Sequence, residues 1–149
     1  MFQVTAAQAR LLEAARVGHL ATADPAGAPH VIPVCYTLAE QVIYSVLDRK
    51  PKRASVARLR RVRNIQANPE IALMVDHYEE EWLRLWYVLV LGRAVLLWEG
   101  EEQTAAIGLL RQKYPQYRKM DIDGSPVIRI TPTRVVSWAA DQPDERATG

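Results

Sequence analysis

The chain has 149 residues, of which 49% are apolar and 24% charged, a composition typical of a globular domain, and we expect a single domain over residues 1–149. Its single cysteine, Cys35, excludes an intrachain disulfide and a multi-cysteine metal site, and the three scattered histidines predict no metal site. No apolar stretch reaches the ~18 residues of a membrane span and no signal peptide is visible, so we expect a cytoplasmic protein without a membrane partner.

The first third of the chain predicts one helix followed by three short strands. Thr5 and Gln8 have the spacing of a capping box that opens a helix, and Gly18 is predicted to end it. The three predicted strands cover residues 19–23, 30–37 and 42–47. Pro33 removes a backbone donor from the second, so that strand should be bulged or should face something other than a neighbouring strand there.

The rest of the chain alternates helices and strands. A helix within residues 54–67 carries an apolar stripe of Val56, Leu59, Val62 and Ile65. Strands are predicted over residues 71–77, over 82–98 with a bulge or bend at Gly92, and over 127–131 and 134–139, which Pro132 separates. A third helix covers 99–113, and a frayed tail covers 141–149. Six or seven short strands with three helices predict a mainly β, α+β domain, a closed or nearly closed antiparallel barrel.

A basic run between two of these strands is the strongest functional signal. It holds eight of the 19 Lys and Arg residues and no acid: Arg49, Lys50, Lys52, Arg53, Arg58, Arg60, Arg61 and Arg63. Elsewhere the 17 acids outnumber the bases. Such segregation predicts an anion site, for nucleic acid or for the phosphate of a small molecule. Residues 45–76 contain no Phe, Trp or Tyr, which argues against nucleic acid because single strands need aromatic platforms.

The order of these elements, with three local patterns, resembles the flavin-binding split barrel of the pyridoxamine 5′-phosphate oxidase-like family. The patterns are L-A-T at residues 20–22 before Gly27 and Pro29, R-V-R-N at 61–64 before Asn68-Pro69, and V-L-D-R-K-P-K-R at 46–53 with the later G-R-A-V at 92–95. The last is similar to the branch of this superfamily that uses the deazaflavin coenzyme F-420.

The resemblance implies a six- to seven-stranded antiparallel split β-barrel with flanking helices, forming a homodimer with two cofactor sites at its interface. It also implies an oxidoreductase that transfers a hydride from F-420 or FMN to a small conjugated or heterocyclic substrate. We prefer F-420 because the basic run is longer than one phosphate needs. The alternative is a non-catalytic protein that binds or carries the same cofactor. A third hypothesis is a protein that binds nucleic acid through the basic helix.

Carried over by position, the resemblance implies a set of residues around the cofactor phosphate. Arg61 stands at the family's phosphate-binding position, with Asn64 on the same helical face, and the hydroxyl of Ser45 lies near the phosphate. A second group could meet the acidic tail of F-420: Lys50, Lys52 and Arg53.

The ring of the cofactor is expected along the second strand. Pro33, Val34 and Cys35 would approach its edge through backbone groups, and Trp86 belongs to an aromatic group that would cover it at the dimer interface. That group comprises Trp82, Trp86, Tyr87 and Trp98. No catalytic residue is assigned, although a hydroxyl of Tyr36 or Tyr44 could supply a proton.

The chain departs from the oxidases that give the family its name. Its second strand lacks the Arg and Lys with which those enzymes hold FMN, and their C-terminal Arg and His for pyridoxal phosphate are not recognisable. Oxidation of vitamin B6 is therefore not expected, and the choice between F-420 and FMN stays open.

Overall fold

The computed structural model of the chain describes residues 2–48 and 56–142, which form a curled sheet flanked by helices. The described helices are α1 (Ala6–Ala14), α2 (Arg60–Ala67) and α3 (Glu101–Lys113), with short 3-10 turns at Trp82–Arg84 and Pro115–Lys119. The described strands are β1 (Gly18–Ala23), β2 (Pro29–Val34), β3 (Thr37–Ala39), β4 (Val42–Val46), β5 (Glu70–His77), β6 (Trp86–Leu97) and β7 (Val127–Ala139).

The sheet curls so that its two edge strands, which are consecutive in the chain, come close together. The strand order is β2-β1-β5-β6-β7-β4-β3, and every pairing is antiparallel. The edge strands β2 and β3 are separated only by Cys35 and Tyr36, so the end of β2 and the start of β3 are at most about 11 Å apart. The edges must therefore meet at this corner, which confirms the predicted split barrel. As an edge strand, β2 also tolerates Pro33, since its outer side needs no donor there.

Helix α2 and the turn before it pack on the barrel through the predicted apolar stripe. Val56, Val62 and Ile65 are at most 4% exposed and belong to the main core, and Leu59 packs against it. Asn68 caps the helix before Pro69, as the sequence predicts. The Arg side chains at 58, 60 and 63 point to solvent, because the stripe fixes which face is buried.

A second, smaller core lies between α3 and strand β4. Tyr44 and Val46 of β4 pack there against Ile107 and Leu110 of α3, and the chain then returns over them through the turn that holds Tyr117. This core holds the end of β4 and Tyr117 next to the corner between β2 and β3.

The predicted strand over residues 30–37 divides at Cys35 and Tyr36 into β2 and β3, and Gly18 and Pro132 do not have their predicted roles. Gly18 does not cap α1, which ends at Ala14 with Ala15 as its cap. It is the first residue of β1, where an added Cβ would lie 2.8 Å from Leu73 Cδ1 and would force this side chain to shift. The predicted break at Pro132 is also absent, since β7 runs unbroken from Val127 to Ala139.

Strand β7 accommodates Pro132 through a bulge opposite Gly92. Leu91 pairs with Arg134 and Gly92 with Pro132, so Thr133 is the extra residue. The Thr133 hydroxyl donates to the Leu91 carbonyl at 3.2 Å, which joins the bulge to β6. The predicted irregularity at Gly92 is confirmed.

Over the part of the chain that the structure describes, none of the helices has the length and apolar character needed to cross a membrane. The predicted tail falls mostly on residues 143–149, outside the described residues.

Candidate functional site

A cleft of about 190 Å³ opens at the corner where β2 leads into β3. Its apolar wall is made of Val17, Pro33, Val34 and Val46. Its polar lining consists of Cys35, Ser45, Asp48, Arg61 and Tyr117. The cleft therefore collects groups from β2, β4, α2 and the turn after α3, segments far apart in the sequence.

The corner beside the cleft is fixed by hydrogen bonds to its backbone. The hydroxyl of Ser45 donates to the Cys35 carbonyl at 2.7 Å. The hydroxyl of Tyr114 accepts from the Tyr36 N–H at 3.1 Å and can donate to the carbonyl of Tyr36 or of Arg16, each 3.0 Å away. Because buried backbone groups are costly to leave unpaired, these bonds hold the corner in one conformation.

Arg61 brings positive charge into the cleft. It is half-buried on α2, whereas Arg60 and Arg63 on the same helix are exposed. The planar guanidinium presents paired N–H donors that match phosphate oxygens. Among the described residues of the basic run, Arg61 is thus the one placed to hold an anion in this cleft.

Asp48 and Tyr117 form a polar pair in the same cleft that sequence reasoning missed. The Tyr117 hydroxyl donates to Asp48 Oδ2 at 2.9 Å, and Tyr117 is 4% exposed. Burial, and secondly the charge of Asp48, raise the pKa of Tyr117, so this tyrosine stays protonated and remains the donor. Asp48 lies two residues after β4, where a polar residue following a buried strand could have indicated a site, but nothing in the sequence places Tyr117 beside it.

Half of the residues predicted for the cofactor lie together in this cleft. Five of the ten line it: Pro33, Val34, Cys35, Ser45 and Arg61. Their contact with a ligand stays a prediction. Ser45 would have to turn its hydroxyl away from Cys35 to donate to a phosphate, since it has a single proton. The predicted tail-binding residues Lys50, Lys52 and Arg53 lie outside the described residues.

Two other predicted residues are elsewhere in this protomer. Asn64 is 3% exposed and its amide donates to the Thr22 hydroxyl at 3.0 Å, so it ties α2 to β1 and is not part of the cleft lining. Trp86 stacks on His77, with ring centroids 6.2 Å apart, at the start of β6. A role for Trp86 over a partner's site stays a prediction.

The tyrosines suggested as proton donors do not line the cleft. Tyr36 is fully buried and its hydroxyl donates to the Leu12 carbonyl. Tyr44 packs in the second core, and burial raises the pKa of both hydroxyls. Tyr117 is the tyrosine that the described cleft contains.

The four aromatics predicted to cluster are spread along the molecule. Trp86 begins β6 and Trp98 follows its end, so the 12-residue strand lies between them, a span of at most about 40 Å. Trp82 is 66% exposed, and Tyr87 stacks on Trp138. Within one protomer the four aromatics therefore do not form a single cluster, and their role at a dimer interface stays a prediction.

Lys113 lies behind the corner, on top of two tyrosine rings. Its Nζ is 4.0 Å from the ring centroid of Tyr36 and 5.4 Å from that of Tyr114. Burial, and secondly the charge of Arg16, lower the pKa of Lys113 to about 8.

We expect Lys113 to make the stability of the fold rise in mild alkali. Its pKa is lower in the folded chain than the ordinary 10.5, so the unfolded chain binds more protons between these values. The cost in folding free energy of burying charged Lys113 is complete below about pH 8, and it is relieved as the pH rises toward 10.5. In urea unfolding, the free energy of wild type relative to Lys113→Met should increase from pH 8 to 10. A Lys119→Met variant, altered at an exposed lysine, should show no such trend, and a flat difference for Lys113→Met would contradict the assignment.

No group of three or more His, Cys, Asp or Glu side chains within residues 2–48 and 56–142 is arranged to hold a metal ion.

Comparison with known proteins identifies the family. A family model described as pyridoxamine 5′-phosphate oxidase matches residues 4–139. The chain belongs to this family. A search of curated proteins finds no match.

Several solved structures share the family's fold with this chain. A conserved hypothetical protein of Mycobacterium tuberculosis, Rv2991, has a TM-score of 0.72 and 20% identity over 100% of this chain and 94% of its own. An FAD-binding protein of Mesorhizobium loti has a TM-score of 0.64 and 22% identity, over 90% of this chain and 94% of its own. HutZ of Vibrio cholerae, described as a haem storage protein, has a TM-score of 0.67 and 13% identity, over 93% of this chain and 95% of its own. At these identities the likeness establishes the split-barrel fold.

Proposed function

We propose that this chain is a dimeric oxidoreductase of the pyridoxamine 5′-phosphate oxidase class that uses F-420, or else FMN, to reduce a small conjugated or heterocyclic substrate. The observation that supports the proposal most is the cleft at the β2–β3 corner. Residues implied separately for the ring edge and for the phosphate, Cys35 and Arg61 among them, line the same cavity. The preference for F-420 rests on the length of the basic run.

The cleft residues fit a phosphorylated flavin or deazaflavin. Arg61 supplies donors of the geometry that phosphate takes. When bound, the cofactor supplies the hydride chemistry, and the protein has to bind it, orient it and exclude water. Val34 and Val46 line the cleft with apolar surface, and the pinned backbone at Cys35 offers a fixed edge for the ring.

The outer face of the sheet supports a homodimer with the site at its border. The strand register places one row across five strands: Pro33, His19, Met74, Leu89 and Val136. Beside it runs a second row: Val31, Ala21, Ala72, Leu91 and Arg134. These positions are half-buried or exposed, with Val31 59% and Met74 36% exposed. A mainly apolar face of this extent is typical of an interface, and Pro33 joins it to the cleft.

A charge in the middle of this face should separate the subunits. Met74→Glu would bury an unpaired carboxylate in the dimer but leave it solvated in the monomer. We expect the dimer dissociation constant to rise at least about 100-fold, measured by sedimentation velocity. Met74→Leu, which keeps the side chain apolar, should leave the constant nearly unchanged. A Met74→Glu protein that stays as dimeric as wild type would contradict the interface.

A non-catalytic carrier of the same fold is the second candidate. The similarity to HutZ favours it, because a storage protein also uses this fold. Measuring turnover distinguishes the oxidoreductase from the carrier. The protein is mixed with reduced F-420 or FMN and a panel of quinones and nitroaromatic acceptors, and cofactor reoxidation is followed in the absence of oxygen. Acceleration over the protein-free rate supports the oxidoreductase. Tight binding without acceleration for any acceptor supports the carrier, and binding of haemin in place of either cofactor would point to haem.

A further inference from the structure

The candidate cleft contains a negative charge that phosphate binding does not explain. Asp48 lines the same cavity as Arg61. Asp48 cannot itself hold a phosphate, because two anions repel each other. It is suited to accept hydrogen bonds from donor groups of the same ligand.

Tyr117 sets what Asp48 can accept. The buried Tyr117 hydroxyl donates to Asp48 Oδ2 at 2.9 Å, which orients the carboxylate. A carboxylate has about four acceptor positions on two oxygens, and Tyr117 uses one of them. Because its proton is committed to Asp48, the Tyr117 oxygen can only accept from a further partner. The pair thus forms an acceptor site for ligand hydroxyl groups.

The size of the cleft narrows the ligand further. Its volume of about 190 Å³ is smaller than the roughly 300–1,000 Å³ of pockets that enclose a complete ligand. It can hold a short chain and its phosphate but not a three-ring system as well. The ring would then lie outside it, along β2 and the apolar outer face.

We propose that Asp48, held by Tyr117, accepts hydrogen bonds from the hydroxyl groups of a phosphorylated polyol, with the phosphate on Arg61. The ribityl phosphate chain of a flavin or deazaflavin has this chemistry, so the inference rests on the proposed function and extends it. Asp48 then binds the polyol chain between the ring and the phosphate, and Arg61 binds the phosphate.

Three ligands, each with one chemical group more than the last, test these separate roles of Asp48 and Arg61. Lumiflavin is the ring alone, riboflavin adds the ribityl chain, and FMN adds the phosphate. Each is titrated into wild type and variants while flavin fluorescence is followed. In Asp48→Asn, whose amide oxygen can still accept from Tyr117, the preference for riboflavin over lumiflavin should fall about tenfold or more. Its affinity for lumiflavin should not change.

The Arg61→Ala variant should show the complementary pattern. Its preference for FMN over riboflavin falls, while that for riboflavin over lumiflavin is kept. Tyr117→Phe should lower the ribityl preference in part, because Asp48 loses its orienting partner. Glu13→Gln removes one negative charge from the exposed face of α1 and should change neither preference.

Two results would overturn the proposal while leaving the proposed function intact. One is an unchanged riboflavin preference in Asp48→Asn that binds FMN and shows the wild-type circular dichroism spectrum. The other is a change confined to the FMN preference, which would mean that Asp48 acts on Arg61. Wild-type protein that binds none of the three flavins, nor F-420, would overturn the proposed function as well.

Discussion

An Arg61→Ala variant should bind its cofactor about 10- to 150-fold more weakly than wild type, a loss of about 1.5–3 kcal/mol. Arg61 is the described member of the basic run that lines the cleft, and its guanidinium can form a paired, charge-assisted bond to phosphate. Fluorescence titration of the purified protein with F-420 and with FMN measures the loss. The effect should be larger at low salt, since counterions screen exposed charges.

Arg63→Ala is the matched control. Arg63 lies on the same helix two residues away and is exposed, so it removes the same charge without touching the cleft. We expect a change of less than about threefold. Equal losses in both variants would mean that the helix attracts the cofactor only through its net charge. An Arg61→Ala variant with wild-type affinity would remove Arg61 from the site.

A Gly92→Ala variant should be destabilised by about 1–3 kcal/mol. Gly92 lies at the bulge between β6 and β7, where an added Cβ would be 2.6 Å from the Thr131 carbonyl oxygen and 3.2 Å from Pro132 Cα. These are backbone atoms of the neighbouring strand, so relief requires the two longest strands to move apart. Urea unfolding of wild type and variant gives the difference.

Gly108→Ala provides the opposite expectation from the same chemical change. Gly108 is in the interior of α3, exposed, and nothing lies within 4 Å of its added Cβ. Alanine should therefore stabilise the fold by about 0.5–1 kcal/mol. If both alanines had the same effect, close approach at the bulge would not be the reason for glycine at position 92.

Local patterns in the sequence predict the elements that local chemistry determines. The Thr5 and Gln8 pair forms both bonds of the capping box, at 3.1 and 3.0 Å. The stripe on α2 is buried where its spacing predicts. The features predicted wrongly depend on partners distant in sequence. Gly18 is explained by Leu73, and the continuity of β7 past Pro132 is explained by Gly92 on the strand beside it.

The candidate site divides in the same way. Arg61, Ser45 and Cys35 could be named because a family resemblance supplied their positions, and the structure brings them into one cleft. Asp48 and Tyr117 are 69 residues apart, and their pairing depends on how α3 returns the chain over β4. A charged residue paired across such a distance carries no periodicity or motif, which is why the sequence alone did not show it.

The most direct test of the account is equilibrium titration of the purified wild-type protein with F-420 and with FMN. We predict saturable binding at micromolar concentration or below, with one cofactor per protomer, tighter for F-420 than for FMN, and carried by a dimer. If neither cofactor binds at micromolar concentration, the cleft at the β2–β3 corner is not a flavin or deazaflavin site and the proposed function is wrong.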